Sequence, residues 1–235
     1  MNIIIDAGNT RIKVAYFENE ALKDLYYFQD LKKCYQHLQQ HAAKSLILSN
    51  VGSWPFSSKS LPANTLSLSP QTPLPFTVCY QTPQTLGNDR RGLAAAAVQN
   101  YRGQPTLVID AGTCLTFDFV NEKAQYLGGA IAPGLKMRGK ALQSFTASLP
   151  QVTLTEAQTE LIGPSTQASL KSGIVNGFTA EVEQTIYRYQ QRYKNLITVL
   201  TGGDLETLGH LTKNGIFARP NFLLTGLNYI LQHNE

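Results

Sequence analysis

Asp6, Gly8, Asn9, Thr10 and Lys13 put a carboxylate, a side-chain-free backbone, an amide, a hydroxyl and an ammonium into one short stretch. These are groups that suit a phosphate chain. A glycine lets the backbone approach a bulky anion, and turn N–H groups can ring it. Lys13 adds a point charge, and Asp6 can hold a cation that bridges phosphate oxygens. The same residues also suit an ordinary polar hairpin. Asp110-Ala111-Gly112-Thr113 repeats the Asp-Ala-Gly of residues 6–8 after a similar apolar run, at a separation of 104 residues. The same order of elements in both places points to an internal duplication. Two such turns suit a phosphate chain held from two sides of a cleft between the halves. Gly202-Gly203, after a late apolar run, lets a nucleoside lie against the backbone. Between the two aspartate turns stands Gly87-Asn88-Asp89-Arg90. Asp89 can cap the alanine-rich helix that follows or accept a proton from a hydroxyl, and the two roles are compatible. Arg90 offers a planar fork for a carboxylate or phosphate, or a surface salt bridge.

The elements that must position these residues are read from periodicity and punctuation. Ile3 to Ile5, the turn Ala7 to Thr10, and the alternation from Arg11 to Phe17 read as strand, turn, strand, with a third strand over Leu22 to Phe28. Asp30 caps a helix from Leu31 to about Ala43, and Ser45 to Val51 is a buried strand. Residues 52–75, rich in Ser and Pro with Trp54 and Phe56 embedded, form a loop with a short helix and a weak strand near Thr65 to Leu68. Phe76 to Tyr80 is a strand, Gln81 to Arg91 a polar loop, and Gly92 to Asn100 a helix capped near Gly103. A second meander follows, with strands from Thr106 to Asp110, through Leu115, Phe117 and Phe119, and from Gln125 to Ala132. A helix runs from Leu135 to Leu149, where Pro150 ends it, and Gln151 to Pro164 is loop. A long helix over Ala168 to Tyr193 is interrupted or tuned by Gly173 and Gly177. Leu196 to Leu200 is a strand, Asp204 caps a helix to about Leu211, and Phe222 to Leu231 closes the chain as an amphipathic helix.

The chain has 235 residues, 43% hydrophobic and 15% charged, which suits a globular protein with a substantial core. The net charge of +4 is spread without a basic block, which argues against a nucleic-acid groove. Cys34, Cys79 and Cys114 lack a metal-binding spacing and read as free thiols in a reducing compartment. No run reaches about 18 apolar residues, so a cytoplasmic protein without membrane insertion is expected. His37 and His41, four apart on a helix, lack the glutamate of a zinc-protease motif and read as a polar face. No Gly-x-x-x-x-Gly-Lys-Ser/Thr sequence occurs, and Gly128 to Gly134 is not a dinucleotide fingerprint.

Taken in order, Asp6-x-Gly8-Asn9-Thr10-x-x-Lys13, Gly87-x-Asp89-Arg90, Asp110-x-Gly112-Thr113, Gly128-Gly129-x-Ile131-x-Pro133-Gly134-Leu135, Ser165-Thr166 followed by Ser172-Gly173, and Thr201-Gly202-Gly203 resemble the motifs of type III pantothenate kinases. Those kinases lie within the acetate and sugar kinase, heat-shock 70 and actin superfamily. The resemblance covers residue 3 to about 230. It implies an α/β fold of two ribonuclease H-like (actin-like ATPase) domains with mixed sheets flanked by helices, here divided as 1–104 and 105–235. It implies ATP-dependent phosphorylation of pantothenate, the first step toward coenzyme A, by a homodimer. Asp6, Ala7, Gly8, Asn9, Thr10, Arg11, Ile12 and Lys13 would form the first phosphate loop, with Asp6 organising Mg²⁺ through water. Gly112 and Thr113 would form the second, and Gly202 and Gly203 the nucleoside turn. Asp89 would be the general base. Tyr80, Gly87, Asn88, Asp89, Arg90 and Thr166 would meet pantothenate. Asp110 would bind a monovalent cation, K⁺ or NH₄⁺. The alternatives are a kinase of the same superfamily for another small acceptor and a non-catalytic regulator that keeps the fold.

Overall fold

In the computed structural model, which describes residues 1–41, 44–52, 54–154, 159–211 and 215–235, the opening apolar run becomes β1 (Asn2–Ala7). β2 (Ile12–Glu18) returns antiparallel to it and β3 (Ala21–Phe28) follows antiparallel to β2. α1 (Leu31–Gln39) begins at Asp30, whose carboxylate accepts from the N–H groups of Lys32 and Lys33. The expected end of this helix at Ala43 lies outside the described residues. β4 (Ser45–Asn50) then lies parallel to β1, and β5 (Thr65–Ser67) lies parallel to β4. The order is β3-β2-β1-β4-β5. Period two puts Ile3, Ile5 and Ala7 on one face, packed with Ile12, Val14, Tyr16, Cys34 and Leu38. Ile4 and Asp6 fall on the opposite face.

β6 is only Thr77–Val78, shorter than the expected strand, and pairs with residues 125–126. α2 spans Asn88–Asn100 with Gly87 as its N-cap, so it starts four residues before the expected Gly92. Asn88, Asp89 and Arg90 therefore lie in the first turn of a helix and not in a loop. An acidic residue in a first turn complements the helix dipole, which favours this earlier start. Arg91, expected at the end of a polar loop, lies in the helix and is 1% exposed.

The second meander repeats the first. β7 (Thr106–Ala111) and β8 (Cys114–Val120) pair antiparallel, and β9 is Gln125–Pro133. α3 (Leu135–Ser144) stops short of Pro150. Thr146 turns its hydroxyl onto the Leu142 carbonyl, a competing bond that hydroxyl residues make at helix ends. Part of the expected loop that follows, 155–158, lies outside the described residues. α4 (Thr166–Arg192) runs without a break, because Gly173 and Gly177 face open space and no close approach demands a kink. β10 (Ile197–Thr201) lies parallel to β7, and a 3₁₀ turn, not an α-helix, covers Leu205–Leu211. β11 (Ile216–Ala218), too short to leave a periodic signal, lies parallel to β10. The order of this sheet is β6-β9-β8-β7-β10-β11, and beyond the added edge strand β6 it repeats the order of the first sheet, which carries the duplication from three identical residues to a shared five-strand topology.

The chain forms two compact units, one of Met1–Arg102, Ala124–Tyr126 and Asn221–Glu235, the other of Gly103–Lys123 and Leu127–Pro220. This departs from a linear division at 104/105. α5 (Phe222–His233) belongs to the first unit, where it packs on α2, β1 and β4 and buries Leu224, Leu227, Ile230 and Leu231. The packing is close: a Cβ on Gly226 would stand 1.8 Å from the Gly92 carbonyl oxygen. Gly226→Ala should therefore force α5 away from α2 and cost about 2–3 kcal/mol, read as a lower urea midpoint. Gly173→Ala, facing open space, should hold or raise that midpoint.

Candidate active site

Asp6 is the penultimate residue of β1, and the antiparallel register sets Lys13 of β2 directly opposite. Residues paired this way share a face, so the charges meet. Lys13 Nζ lies 3.5 Å from Asp6 Oδ2. Asp6 is buried, and burial pushes its carboxyl above the usual carboxylate range. Lys13 opposes that shift, and the negative charge of Asp89 adds to it. The turn between the strands is closed by the Gly8 N–H donating to the Arg11 carbonyl at 3.1 Å. Asn9, Thr10 and Arg11 are exposed there. The Arg11 guanidinium lies 4.7 Å from the centre of the Tyr27 ring. Ala7 and Ile12 bury their side chains in the core, so only their backbone can meet a ligand.

In the same unit α2 presents Asp89 from its first turn. The carboxylate accepts from the Arg90 N–H at 2.8 Å. Gly87 makes room for it, since a Cβ there would stand 2.4 Å from Asp89 Oδ1. Arg90 is 6% exposed, so it is buried and not at a solvated surface. Its guanidinium carbon sits 6.0 Å from the Tyr80 ring centre and 5.9 Å from that of Tyr126, with the two rings 6.0 Å apart. Asn88 spends its side-chain amide on the Leu68 carbonyl, a structural bond. Arg91 donates to the carbonyls of Leu86 and Pro83, and burial lowers its pKa. It holds the segment before Gly87 in place. Asp6, Lys13, Tyr80, Asp89 and Arg90 thus all fall within one unit, with Asp6 electrostatically coupled to both Lys13 and Asp89.

The second unit holds a variant of the first turn. Asp110 is again penultimate in its strand, but Thr116 stands opposite, and the connection is the two residues Gly112-Thr113, closed by the Gly112 N–H donating to the Cys114 carbonyl at 3.0 Å. Gly202, with φ of +105°, presses on this turn: a Cβ would stand 2.4 Å from both Asp110 Oδ1 and the Ala111 carbonyl oxygen. No other residue fits there. Gly203 has open space around its Cα. Asp204 donates its N–H to the Ala111 carbonyl at 2.8 Å. Burial raises the Asp204 carboxyl, and Lys136 Nζ, 3.9 Å away, opposes that. Thr166 is exposed at the start of α4, where Ser165, not Thr166, supplies the capping oxygen.

Two features escape the sequence. Lys136 stands in a short charge run with nothing to tie it to Asp204. Trp54, embedded in an irregular segment, donates its indole N–H to the Gly8 carbonyl at 2.6 Å. Its only signal is Gly52, which follows a buried parallel strand and marks a close approach of backbones.

Two sheets that share one five-strand order, the second extended by β6 to six strands, each with an Asp-Gly hairpin at the end of its first strand, define an actin-like fold of the kind found in sugar kinases. Comparisons agree. A glucokinase from an Antarctic psychrotroph matches with a TM-score of 0.53 at 14% identity, covering 100% of this chain and 99% of that one. A Campylobacter jejuni protein assigned to the Baf family of transcriptional activators matches with a TM-score of 0.65 at 21% identity, covering 99% and 98%. At these identities the likeness is one of fold. The type III pantothenate kinase from Christiangramia forsetii is 46% identical over 242 aligned positions, covering 100% of this chain and 99% of its own. The family model for type III pantothenate kinase matches residues 2–188. The chain belongs to the type III pantothenate kinase family. A kinase of this family works with a divalent cation.

The raised Asp6 pKa has a thermodynamic consequence. The folded state binds this proton more tightly than the unfolded chain, whose value is 3.8. The stability that the proton gives is present below that value and is lost as pH rises through the folded pKa, so at neutral pH the ionised carboxylate is a cost. Asp6→Asn should raise Tm at pH 7.5 by on the order of 2 °C, with the gap closing as pH falls toward 4. The same substitution should lower kcat by at least ~10². Calorimetry across pH and a coupled kinase assay read the two effects.

Proposed function

We propose that Asp6 to Lys13 and Asp89 are the working centre of an ATP-dependent kinase that phosphorylates pantothenate to 4′-phosphopantothenate, the first step of coenzyme A biosynthesis. The observation that carries this reading is the buried Asp6 carboxylate, set opposite Lys13 at the base of an exposed polar turn and within the field of Asp89. Phosphoryl transfer rests on positioning and charge neutralisation. Lys13 and the groups of Gly8, Asn9, Thr10 and Arg11 hold phosphate oxygens. Asp89 accepts the proton of the primary hydroxyl as its oxygen attacks the γ-phosphorus and the bond to ADP breaks. Arg90, packed among Tyr80 and Tyr126, orients the acceptor, and its fork suits the pantothenate carboxylate. Gly87 keeps the Asp89 carboxylate clear.

Mg²⁺ fits this centre. It takes one or two carboxylates together with phosphate oxygens, and a desolvated carboxylate beside a second negative charge is the group a cation relieves. Asp6 would hold it, through water, and the ion would neutralise charge developing on the phosphates. In the second unit, Gly112 and Thr113 meet phosphate, and Gly202-Gly203 form the nucleoside turn. Asp110, at the end of β7 beside the Gly112-Thr113 turn, would hold K⁺ or NH₄⁺ through its carboxylate.

The homodimer of this reading is supported by the apolar surface of the second unit. Ile131, Phe145, Leu161 and Ile162 are strongly exposed, and β9 turns Leu127 and Ile131 outward. Thr166 completes an acceptor site in such a dimer. A cytoplasmic location accords with three free cysteines. Among the described residues no helix is long and apolar enough to cross a membrane.

The reading is tested by incubating the purified protein with pantothenate, ATP, Mg²⁺ and K⁺ and measuring 4′-phosphopantothenate; no product would overturn it. Asp89→Asn should lower kcat by at least ~10² while the urea midpoint holds, and sedimentation should give twice the chain mass.

A further inference from the structure

Three hydrogen bonds tie the chain after β4 to the first phosphate turn, and a fourth closes that chain on itself, all within the first unit. The N–H groups of Val51 and Gly52 both donate to the Ala7 carbonyl at 3.1 Å. Trp54 Nε1 donates to the Gly8 carbonyl at 2.6 Å. Asn50 Nδ2 donates to the Trp54 carbonyl at 2.9 Å and closes the strap on itself. Gly52 lies so near that a Cβ would stand 2.5 Å from the Gly8 carbonyl oxygen and 2.9 Å from Trp54 Cδ1. The second unit has the backbone half of this device, where Asp204 donates its N–H to the Ala111 carbonyl. The indole belongs to the first unit alone, since Trp54 is the chain's one tryptophan.

A carbonyl that faced a polyphosphate would repel it. In a trans peptide the C=O and the following N–H point in opposite directions. Holding the Gly8 carbonyl against the strap therefore turns the Asn9 N–H away from the strap, toward the side on which an anion can be received. A glycine at position 8 needs this help. Its φ is not in the left-handed region and a Cβ would find its nearest neighbour at 3.6 Å, so neither backbone strain nor crowding locks the 8–9 peptide. With no side chain to restrain it, that peptide can flip at small cost.

We propose that Trp54 is a positioning residue for the nucleotide: its indole N–H locks the Gly8–Asn9 peptide so that the Asn9 N–H is preorganised to receive a phosphate oxygen of ATP. The proposal rests on the reading that residues 6–13 hold the phosphates. Trp54→Phe keeps an aromatic ring on the strap and deletes the donor. It should raise KM for ATP about tenfold, the loss of one hydrogen bond, and leave KM for pantothenate and the urea midpoint close to wild type. Because Trp54 is the single tryptophan, its emission in the wild-type protein reports the contact directly. Titration with a non-hydrolysable ATP analogue and Mg²⁺ should shift that emission saturably, and pantothenate alone should not. An unchanged KM for ATP in Trp54→Phe, or an emission that the nucleotide does not move, overturns the proposal. Lys13→Ala separates the two levels. If Lys13→Ala weakens ATP and Trp54→Phe does not, the inference about Trp54 fails alone; if neither weakens it, residues 6–13 do not hold the phosphates.

Discussion

One desolvated carboxylate organises the first unit. Asp6 stands at the end of a strand buried on both faces, where an ionised group costs several kcal/mol unless it is compensated. The antiparallel register supplies the compensation that the strands themselves can give, Lys13 directly across. It is incomplete, since burial still outweighs the lysine and Asp89 adds a second negative charge. A fold that keeps such an arrangement carries a standing demand for positive charge at that point. A metal–nucleotide complex bound as proposed would answer that demand, drawing binding energy from a cost already present in the free protein.

The scaffold that holds this carboxylate is stiff for identifiable reasons. Ile3, Ile5 and Ala7 lock one face of β1 into a core shared with β2, β4 and α1, and α5 contacts β1 and β4 in the same unit. The near-contact of Gly226 with the Gly92 carbonyl lets α5 sit low on α2. The helix that α5 braces is the one whose first turn carries Asp89 and Arg90. The close packing at Gly92 and the aim of Asp89, three residues before it, are therefore set by the same stretch of α2.

Much of this was legible in the sequence, and the misses have physical causes. Period-two alternation over Arg11 to Phe17, with an aspartate closing the apolar run before it, is a strong hairpin signal because both strands are buried. The repeat of Asp-Ala-Gly at 110–112 announced the second sheet, whose strand order then matched. The start of α2 was misplaced because Asn88, Asp89 and Arg90 look like loop residues; their local polarity hid a helix whose dipole favours Asp89. The place of α5 in the first unit could not be read, because no local pattern records which of two sheets an amphipathic helix will cover. Arg91 was placed at the end of a polar loop, although it is buried in α2 with its guanidinium donating to two backbone carbonyls. Bonds of that kind depend on tertiary proximity, and so does the indole of Trp54 on Gly8.

Duplication of the sheet did not duplicate the chemistry. The first hairpin has a four-residue connection, Gly8 to Arg11, with a lysine facing its aspartate; the second has two residues, Gly112-Thr113, with a threonine facing Asp110. A longer turn offers more N–H groups to an anion, and the lysine biases that turn toward negative ligands. The shorter turn, pressed by Gly202, has a neutral residue and not a lysine across from its strand-end carboxylate. The same strand-end geometry thus carries two different electrostatic settings, decided by a two-residue difference in loop length and by one cross-strand partner.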